Sequence, residues 1–312
     1  VEVVDSGTRR WNRDTAASRA ANGNCRGAEF GGKSISVELK SAGPRNYLGT
    51  RVMNSLEIAY SQHAGLHHQI QQDALWNGRA LLQHGNQPTT SISLQETSSF
   101  FAVADGVSAS PEPQLASRFV IEALAASLNK LPNAELDVRL VRRVHGLLCD
   151  RYARGRTFGS SSTVVATQIV GNRCIVVNVG DSRAYRITAD GSWETLTQDH
   201  TVIESLRQQG QASCDLEYAH IYDALDSCLI ADDEETEFSV HRQVVPFEIG
   251  DTLLLCSDGV HQTLGQKLLE QLFDPRHSTQ IQVDIFRTAV LKAGAPDNFS
   301  LILVKHTGDV PL

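Results

Sequence analysis

Four aspartates stand at the ends of apolar, strand-like runs. Asp73 lies in Gln71-Gln72-Asp73-Ala74, Asp105 in Phe101-Ala102-Val103-Ala104-Asp105-Gly106, Asp258 in Leu253-Leu254-Leu255-Cys256-Ser257-Asp258-Gly259, and Asp297 in Pro296-Asp297-Asn298-Phe299-Ser300. A carboxylate at a strand end is held by rigid backbone yet reaches solvent. If sheet packing gathers such ends, their repulsion has to be offset by a cation. A set of oxygen donors favours Mg²⁺ or Mn²⁺ over zinc. Two such ions roughly 3.5–4 Å apart can share a bridging water, lower its pKa and neutralise phosphoryl oxygens in the transition state. The chemistry expected is therefore metal-assisted hydrolysis of a phosphate ester, with no covalent enzyme intermediate. Gly106 is expected to turn sharply and present its carbonyl to a metal, and Gly259 to do the turning alone. Taken singly, an Asp-Gly after a strand is an ordinary turn. The signal lies in the set.

The elements that must position these residues are legible in outline. Strands are expected at Leu56–Tyr60, Ala74–Leu81 and Ser98–Ala104. Two helices follow, from about Gln114 to Leu131 and from Asp137 to Tyr152, with apolar residues at helical spacing (Leu115, Phe119, Leu124, Leu128; Val141, Val144, Leu148). Ser162–Val170 and Arg173–Val179 flank the hairpin signal Gly171-Asn172, and Arg183–Thr188 and Trp193–Leu196 flank Asp190-Gly191. A helix is expected at Thr201–Gln209, a polar stretch after Gly210, strands near Glu237–Val245 and Thr252–Cys256, helices at Gly265–Phe273 and Thr279–Ala293, and a last strand at Phe299–Lys305. Hairpin-linked strands with helices arriving in pairs argue for α+β layers with central antiparallel sheets.

Composition bounds the function. The 312 residues are 41% hydrophobic and carry a net charge of −8. That charge argues against nucleic acid or an anionic membrane as the main partner, and no apolar run approaches the ~20 residues needed to span a bilayer. The six cysteines form no C-x-x-C pair and several sit in apolar runs, so they read as reduced, buried thiols of a cytoplasmic protein. Residues 1–52 carry nine Lys/Arg against five Asp/Glu, whereas residues 53–312 carry nineteen against thirty-one. The leading segment has no sustained apolar periodicity and is expected to be disordered or spurious, with translation starting at Met53, the single methionine. Residues 53–312 are then the catalytic domain.

The motifs, taken in order through about residues 60–306, resemble the metal-dependent protein phosphatases of the protein phosphatase 2C family, bacterial type. Gly65-Leu66-His67-His68-Gln69-Ile70-Gln71-Gln72-Asp73-Ala74 is similar to the family's first motif and Phe101–Gly106 to its second. Gly159-Ser160-Ser161-Ser162-Thr163, Asn178-Val179-Gly180-Asp181-Ser182-Arg183, Leu196-Thr197-Gln198-Asp199-His200, Ser257-Asp258-Gly259 and Asp297-Asn298 complete the series. The resemblance implies an α-β-β-α sandwich and hydrolysis of phosphoserine or phosphothreonine in proteins by direct attack of a water bridging two Mn²⁺ or Mg²⁺ ions. It implies that Asp105 bridges both ions with Gly106 lending a carbonyl, that Asp258 and Asp297 hold one ion, that Asp73 anchors the site directly or through water, and that Asn298 orients its neighbour. The polar stretch after Gly210 corresponds to a short flap beside the cleft. The expected partners are phosphorylated proteins, a Ser/Thr kinase or its targets among them, and neither nucleic acid nor membrane.

Three departures qualify this reading. The family's phosphate-binding arginine, five residues before the first aspartate, is His68 here; a histidine gives a weaker contact than a bidentate fork, expected to strengthen below about pH 6.5. Val107 leaves no histidine acid after Asp105-Gly106. Arg154–Phe158 lacks the aspartate that bacterial members use for a third ion, so two ions are expected. Asp181 is expected to fix a turn with Arg183, Asp199 to cap the helix near Thr201, His200 to serve a core or capping role, and Asp232-Asp233-Glu234-Glu235 to be a solvated loop. The alternative functions are a catalytically degenerate regulatory or binding module and a hydrolase of small phosphoesters.

Overall fold

The computed structural model describes residues 52–311 except 131–133, 214, 215, 217, 235 and 236. The expected leading segment lies outside the described residues apart from Val52, which opens the first strand.

Two antiparallel six-stranded sheets form the centre. Strands are numbered in chain order. The first sheet runs β10 (Trp193–Thr195), β9 (Arg183–Ile187), β13 (Thr252–Cys256), β14 (Phe299–Pro311), β1 (Val52–His63), β4 (Asn86–Glu96). The second runs β12 (His241–Pro246), β8 (Arg173–Val179), β7 (Val164–Val170), β5 (Ser98–Ala104), β2 (Ala74–Trp76), β3 (Leu81–Leu82). A small pair, β6 (Ser161–Ser162) with β11 (Leu229–Ile230), completes the strands.

Alternation sorts the apolar residues into three layers. Leu253 and Leu255 of β13 point between the sheets with Leu56, Ile58, Phe101, Val103, Val165, Val176 and Ile302, while Leu254 and Cys256 point outward. A strand buried on both faces reads as an unbroken apolar run, which explains Leu253–Cys256 in the sequence. Outside the second sheet, α1 (Pro113–Lys130) and α2 (Val138–Tyr152) place Val120, Leu124, Val144 and Leu148 on Val164, Ile175 and Val177. Outside the first, α4 (Asp258–Leu264), α5 (Gln266–Leu272) and α6 (Thr279–Lys292) place Val260, Leu269, Phe286 and Val290 on Leu254, Leu301 and Leu303. Each fully buried aliphatic or aromatic side chain contributes about 1.5–3 kcal/mol. The short helix α3 (Val202–Gln208) lies between β10 and β11 in the chain. The α-β-β-α sandwich is thus as expected.

The differences in detail have local causes. The run expected as one strand at Ala74–Leu81 is the hairpin β2–β3, because the Asn77 side chain accepts from Arg79 N and Ala80 N and bends the chain at Gly78. The strand expected from Glu237 begins at His241. β4 was not anticipated: its residues are mostly polar, since it is an edge strand with a largely exposed pattern. α4 was not anticipated either; it starts at Asp258 itself, where a plain turn was expected. Among the described residues no helix is long and apolar enough to cross a membrane. The described cysteines Cys149, Cys174, Cys228 and Cys256 are free.

Candidate active site

Antiparallel pairing brings the four aspartates to one end of the sandwich. Ala74 pairs with Ala104, so Asp73, just before β2, and Asp105, just after β5, are neighbours. Cys256 pairs with Leu301, so Ser257-Asp258 and Asp297 flank the same end of β13 and β14. Two of the acids follow a strand and two precede one, which only an antiparallel arrangement places together.

Ser257 and Asn298 tie the two sheets at this end. Ser257 Oγ donates to Asp73 Oδ2 at 2.8 Å and accepts from Ser300 N at 3.0 Å. Ser257 precedes α4 in the N-cap position, yet its side chain makes no cap hydrogen bond; the hydroxyl is committed to Asp73 instead. Asn298 Oδ1 accepts from Gln72 N at 2.5 Å, its Nδ2 donates to Ala64 O at 2.7 Å, and its own N donates to Asp297 Oδ1 at 2.7 Å. Asp105 is fixed through its backbone: its N donates to Thr163 Oγ1 at 3.2 Å and its O accepts from Thr163 N at 2.8 Å. Thr163 Oγ1 in turn meets Ser182 Oγ at 2.9 Å. Ser257→Ala removes a buried donor from Asp73 and an acceptor from Ser300 N; the expected cost is about 1–3 kcal/mol, read as a lower urea midpoint with an unchanged slope.

Asp105, Asp181, Asp258 and Asp297 line one cleft of about 390 Å³, together with Val107, Ser108 and Thr163 and with Ile221, Asp223, Ala224 and Leu225 from the stretch after Gly210. The electrostatics are those of crowded acids. Burial pushes the Asp73 carboxyl up to about 7, against hydrogen bonds from Ser300 and Ser257. Burial raises Asp105 well above the usual range, with the charges of Asp73 and Asp258 adding to it. Asp258 is raised by burial, with Asp297 contributing and a hydrogen bond from Asp105 opposing. Asp181 is raised well above normal by burial first and then by Asp258 and Asp199.

Whether these residues suit a cation can be judged from their oxygens. Burial and the charges of both Asp73 and Asp258 act on Asp105. Crowded buried carboxyls are relieved by a proton or a cation. Asp73 Oδ1 and Asp258 Oδ1 are buried with no hydrogen-bond partner, and a buried carboxylate oxygen left unpaired is costly. Hard divalent ions match this all-oxygen donor set. Among the described residues no three His, Cys, Asp or Glu side chains close as a ready-made cage around one point; Asp105, Asp258 and Asp297 line the cleft and Asp73 is buried behind it. The set fits the group.

Other predicted residues differ in role. Asp181 does not pair with Arg183. Arg183 forks onto Asp199 (Nη2–Oδ2 2.6 Å, Nε–Oδ1 3.0 Å), and Asp181 faces the cleft, its Oδ2 accepting weakly from Gln262 Nε2 at 3.5 Å. Asp199 does not cap α3; Thr201 does, accepting from Glu204 N. His200 is buried, with Nδ1 accepting from Gly180 N at 3.0 Å, the core role expected. Gly106 and Gly259 are not sharp turns with positive φ. A Cβ on Gly106 would sit 2.5 Å from Pro113 O, and one on Gly259 would sit 2.0 Å from Asn298 O; both are glycine because another backbone lies against them. His68 sits on the loop before β2, its Nε2 3.4 Å from Asp297 Oδ1. Ser257, Thr163 and Gln262 escaped the sequence reading. Ser257 and Thr163 had a signal, since each stands within one of the recognised motifs without a role assigned to it; Gln262 had none.

Comparison with known proteins decides the family. Residues 84–292 match protein phosphatase 2C. The chain belongs to that family. Asp105 and Asp258 lie inside the matched stretch, Asp73 and Asp297 outside it. The Listeria innocua serine/threonine phosphatase stp is 32% identical over 148 residues, 47% of this chain; the chain spans 58% of that relative's length. The crystal structure of the Mycobacterium tuberculosis serine/threonine phosphatase PstP/Ppp superposes with a TM-score of 0.66 at 21% identity, covering 81% of this chain and all of that one. The catalytic domain of PstP in complex with two manganese ions superposes with a TM-score of 0.63 at 21% identity, covering 82% of this chain and 99% of that one. These structures share the fold.

Proposed function

We propose that this protein is a divalent-metal-dependent phosphatase of phosphoserine and phosphothreonine in proteins. One observation carries the reading: Asp73, Asp105 and Asp258 converge at the strand ends with two buried carboxylate oxygens unpaired. Asp105, Asp258, Asp297 and the Gly106 carbonyl would hold two Mn²⁺ or Mg²⁺ ions, with Asp73 as a buried anchor. Such ions, when bound, activate water and neutralise charge on the phosphoryl oxygens. The two manganese ions named for the PstP catalytic domain support this assignment. No histidine, cysteine or serine nucleophile is required.

The chain's own residues do the positioning. Thr163 and Ser182 fix Asp105, Ser257 fixes Asp73, and Asn298 holds the Asp297 loop against the Gln72 loop. His68, beside Asp297 at the rim, is assigned to a phosphoryl oxygen of the substrate. The expected partners are phosphorylated proteins, including a Ser/Thr kinase or its targets, and the free cysteines support a reducing, cytoplasmic setting.

The test is hydrolysis of p-nitrophenyl phosphate and of a phosphothreonine peptide with and without Mn²⁺. Mn²⁺-dependent turnover of both is expected. No turnover would favour the regulatory module, and turnover of nucleotides but not peptides a small-phosphoester hydrolase. His68→Arg restores a bidentate fork and is expected to lower KM for the phosphopeptide about three- to tenfold with kcat little changed. An unchanged KM in steady-state assays removes the role given to His68.

A further inference from the structure

Helix α2 and the turn after it carry a cluster of arginines, of which Arg142 and Arg151 lie over the Phe238 and Tyr152 rings. Arg139, Arg142, Arg143, Arg151, Arg154 and Arg156 fall within eighteen consecutive positions of a chain whose net charge is −8, and all six are exposed. Arg156 reaches Glu112 at 3.7 Å. Among the described residues the other five have no carboxylate within ion-pair distance. Arg151 suits the last turn of α2, but helix stability does not explain the others. Cations are unfavourable near a helix N-terminus, yet Arg139, Arg142 and Arg143 occupy the first half of α2, whose first turn contains no acidic residue.

Their placement is ordered. Arg139, Arg143, Leu147 and Arg151 recur every four residues and so form one ridge, about 18 Å long. Leu147 is itself an exposed apolar side chain on this ridge. Asp150 is the helix's single carboxylate. The acidic run beginning at Asp232 borders another flank: Cys149 Sγ contacts Asp232 O, and Arg142 stacks over Phe238. Arg143 is turned about 100° and Arg139 about 60° from Arg142, both on the side away from Cys149. Beyond the helix, Arg154 and Arg156 lead into Ser160–Thr163, and Val107 N donates to Ser161 O while Thr163 N donates to Asp105 O. The basic stretch is thus continuous in the chain with the segment that holds Asp105.

We propose that this ridge docks an acidic polypeptide segment of the phosphoprotein whose phosphorylated residue enters the cleft. The proposal rests on the phosphatase reading above. Charge complementarity selects the occupant. Elsewhere the domain is strongly acidic, which repels a duplex or a bilayer presenting negative charge over a wide area. A short segment feels the local arginines within a Debye length of about 8–10 Å. The ridge matches about six extended residues, and Leu147 offers an apolar contact that a polyphosphate chain would not use.

The test uses the whole chain and two readouts. In fluorescence anisotropy, a labelled oligoglutamate peptide without phosphate is expected to bind at low salt, to release as salt rises, and to bind about tenfold more weakly to Arg139→Gln/Arg143→Gln/Arg151→Gln. Replacement of the same three by lysine should restore most of the binding. In kinetics, a phosphothreonine peptide with an acidic extension should show a lower KM than one with a Ser/Gly extension. That difference should vanish in the glutamine variant while p-nitrophenyl phosphate turnover and the melting temperature stay unchanged. Equal peptide binding by parent and glutamine variant overturns the proposal, as does tighter binding of an RNA oligonucleotide or of phosphatidylserine vesicles. If the parent hydrolyses neither substrate but binds the peptide through these arginines, the phosphatase reading fails and the docking surface stands.

Discussion

Asp258→Asn and Asp105→Asn are each expected to lower Mn²⁺-dependent turnover of p-nitrophenyl phosphate by about 10³-fold, while raising the melting temperature measured in excess chelator. The two effects have one cause. Asp105 lies against both Asp73 and Asp258 in a buried setting that lifts all three carboxyls above their ordinary range. Removing one charge relieves that repulsion and lets an amide share hydrogen bonds with its neighbours. It also deletes an oxygen donor from the proposed ion site. Catalytic acids held close together typically oppose stability in this way. A variant that loses activity and also melts lower would mean that the acid had been supporting the fold. A variant that keeps activity would remove that acid from the site. Turnover assays and differential scanning calorimetry on the same preparations give both numbers.

The largest stability effect is expected at Gly259. A Cβ there would sit 2.0 Å from Asn298 O and 3.0 Å from Asn298 C, both backbone atoms. A side chain can rotate away from such a contact, but a backbone bonded on both sides cannot. Asn298 is pinned by Gln72 N, Ala64 O and Asp297, so relief would have to come from moving α4, and with it Asp258. Gly259→Ala is expected to destabilise the protein by about 3 kcal/mol or more. It should also reduce turnover, because the displaced helix begins with Asp258. Chemical denaturation checks the first effect and kinetics the second. A loss below about 1 kcal/mol would show that the helix has slack the structure does not suggest.

These two residues also mark what could and could not be seen in the sequence. The four aspartates are visible because each borders an apolar run, but their convergence is only a condition in the sequence and rests on the pairing of β2 with β5 and of β13 with β14. The reason for the glycines was not visible. Gly106 and Gly259 were expected as turns from their Asp-Gly context, but their neighbours are Pro113 and Asn298, and sequence distance hides a contact made across the fold. The same limit applies to Asp181 and Arg183. Adjacency suggested a pair, but Arg183 follows its strand toward Asp199 on the neighbouring turn, leaving Asp181 to the cleft. Strand β4 went unread because an exposed edge needs little apolar surface. Helix α4 went unread because only its buried face is apolar and its cap serine is committed elsewhere.

The central claim is that these acids exist to hold divalent ions, and titration calorimetry addresses it most directly. Mn²⁺ titrated into the chelator-stripped protein is expected to show uptake of two ions per chain, with at least one lost in Asp258→Asn. Saturation should coincide with the onset of p-nitrophenyl phosphate turnover. A parent protein that takes up no Mn²⁺ or Mg²⁺, or that binds them equally well after Asp258→Asn, would contradict the account.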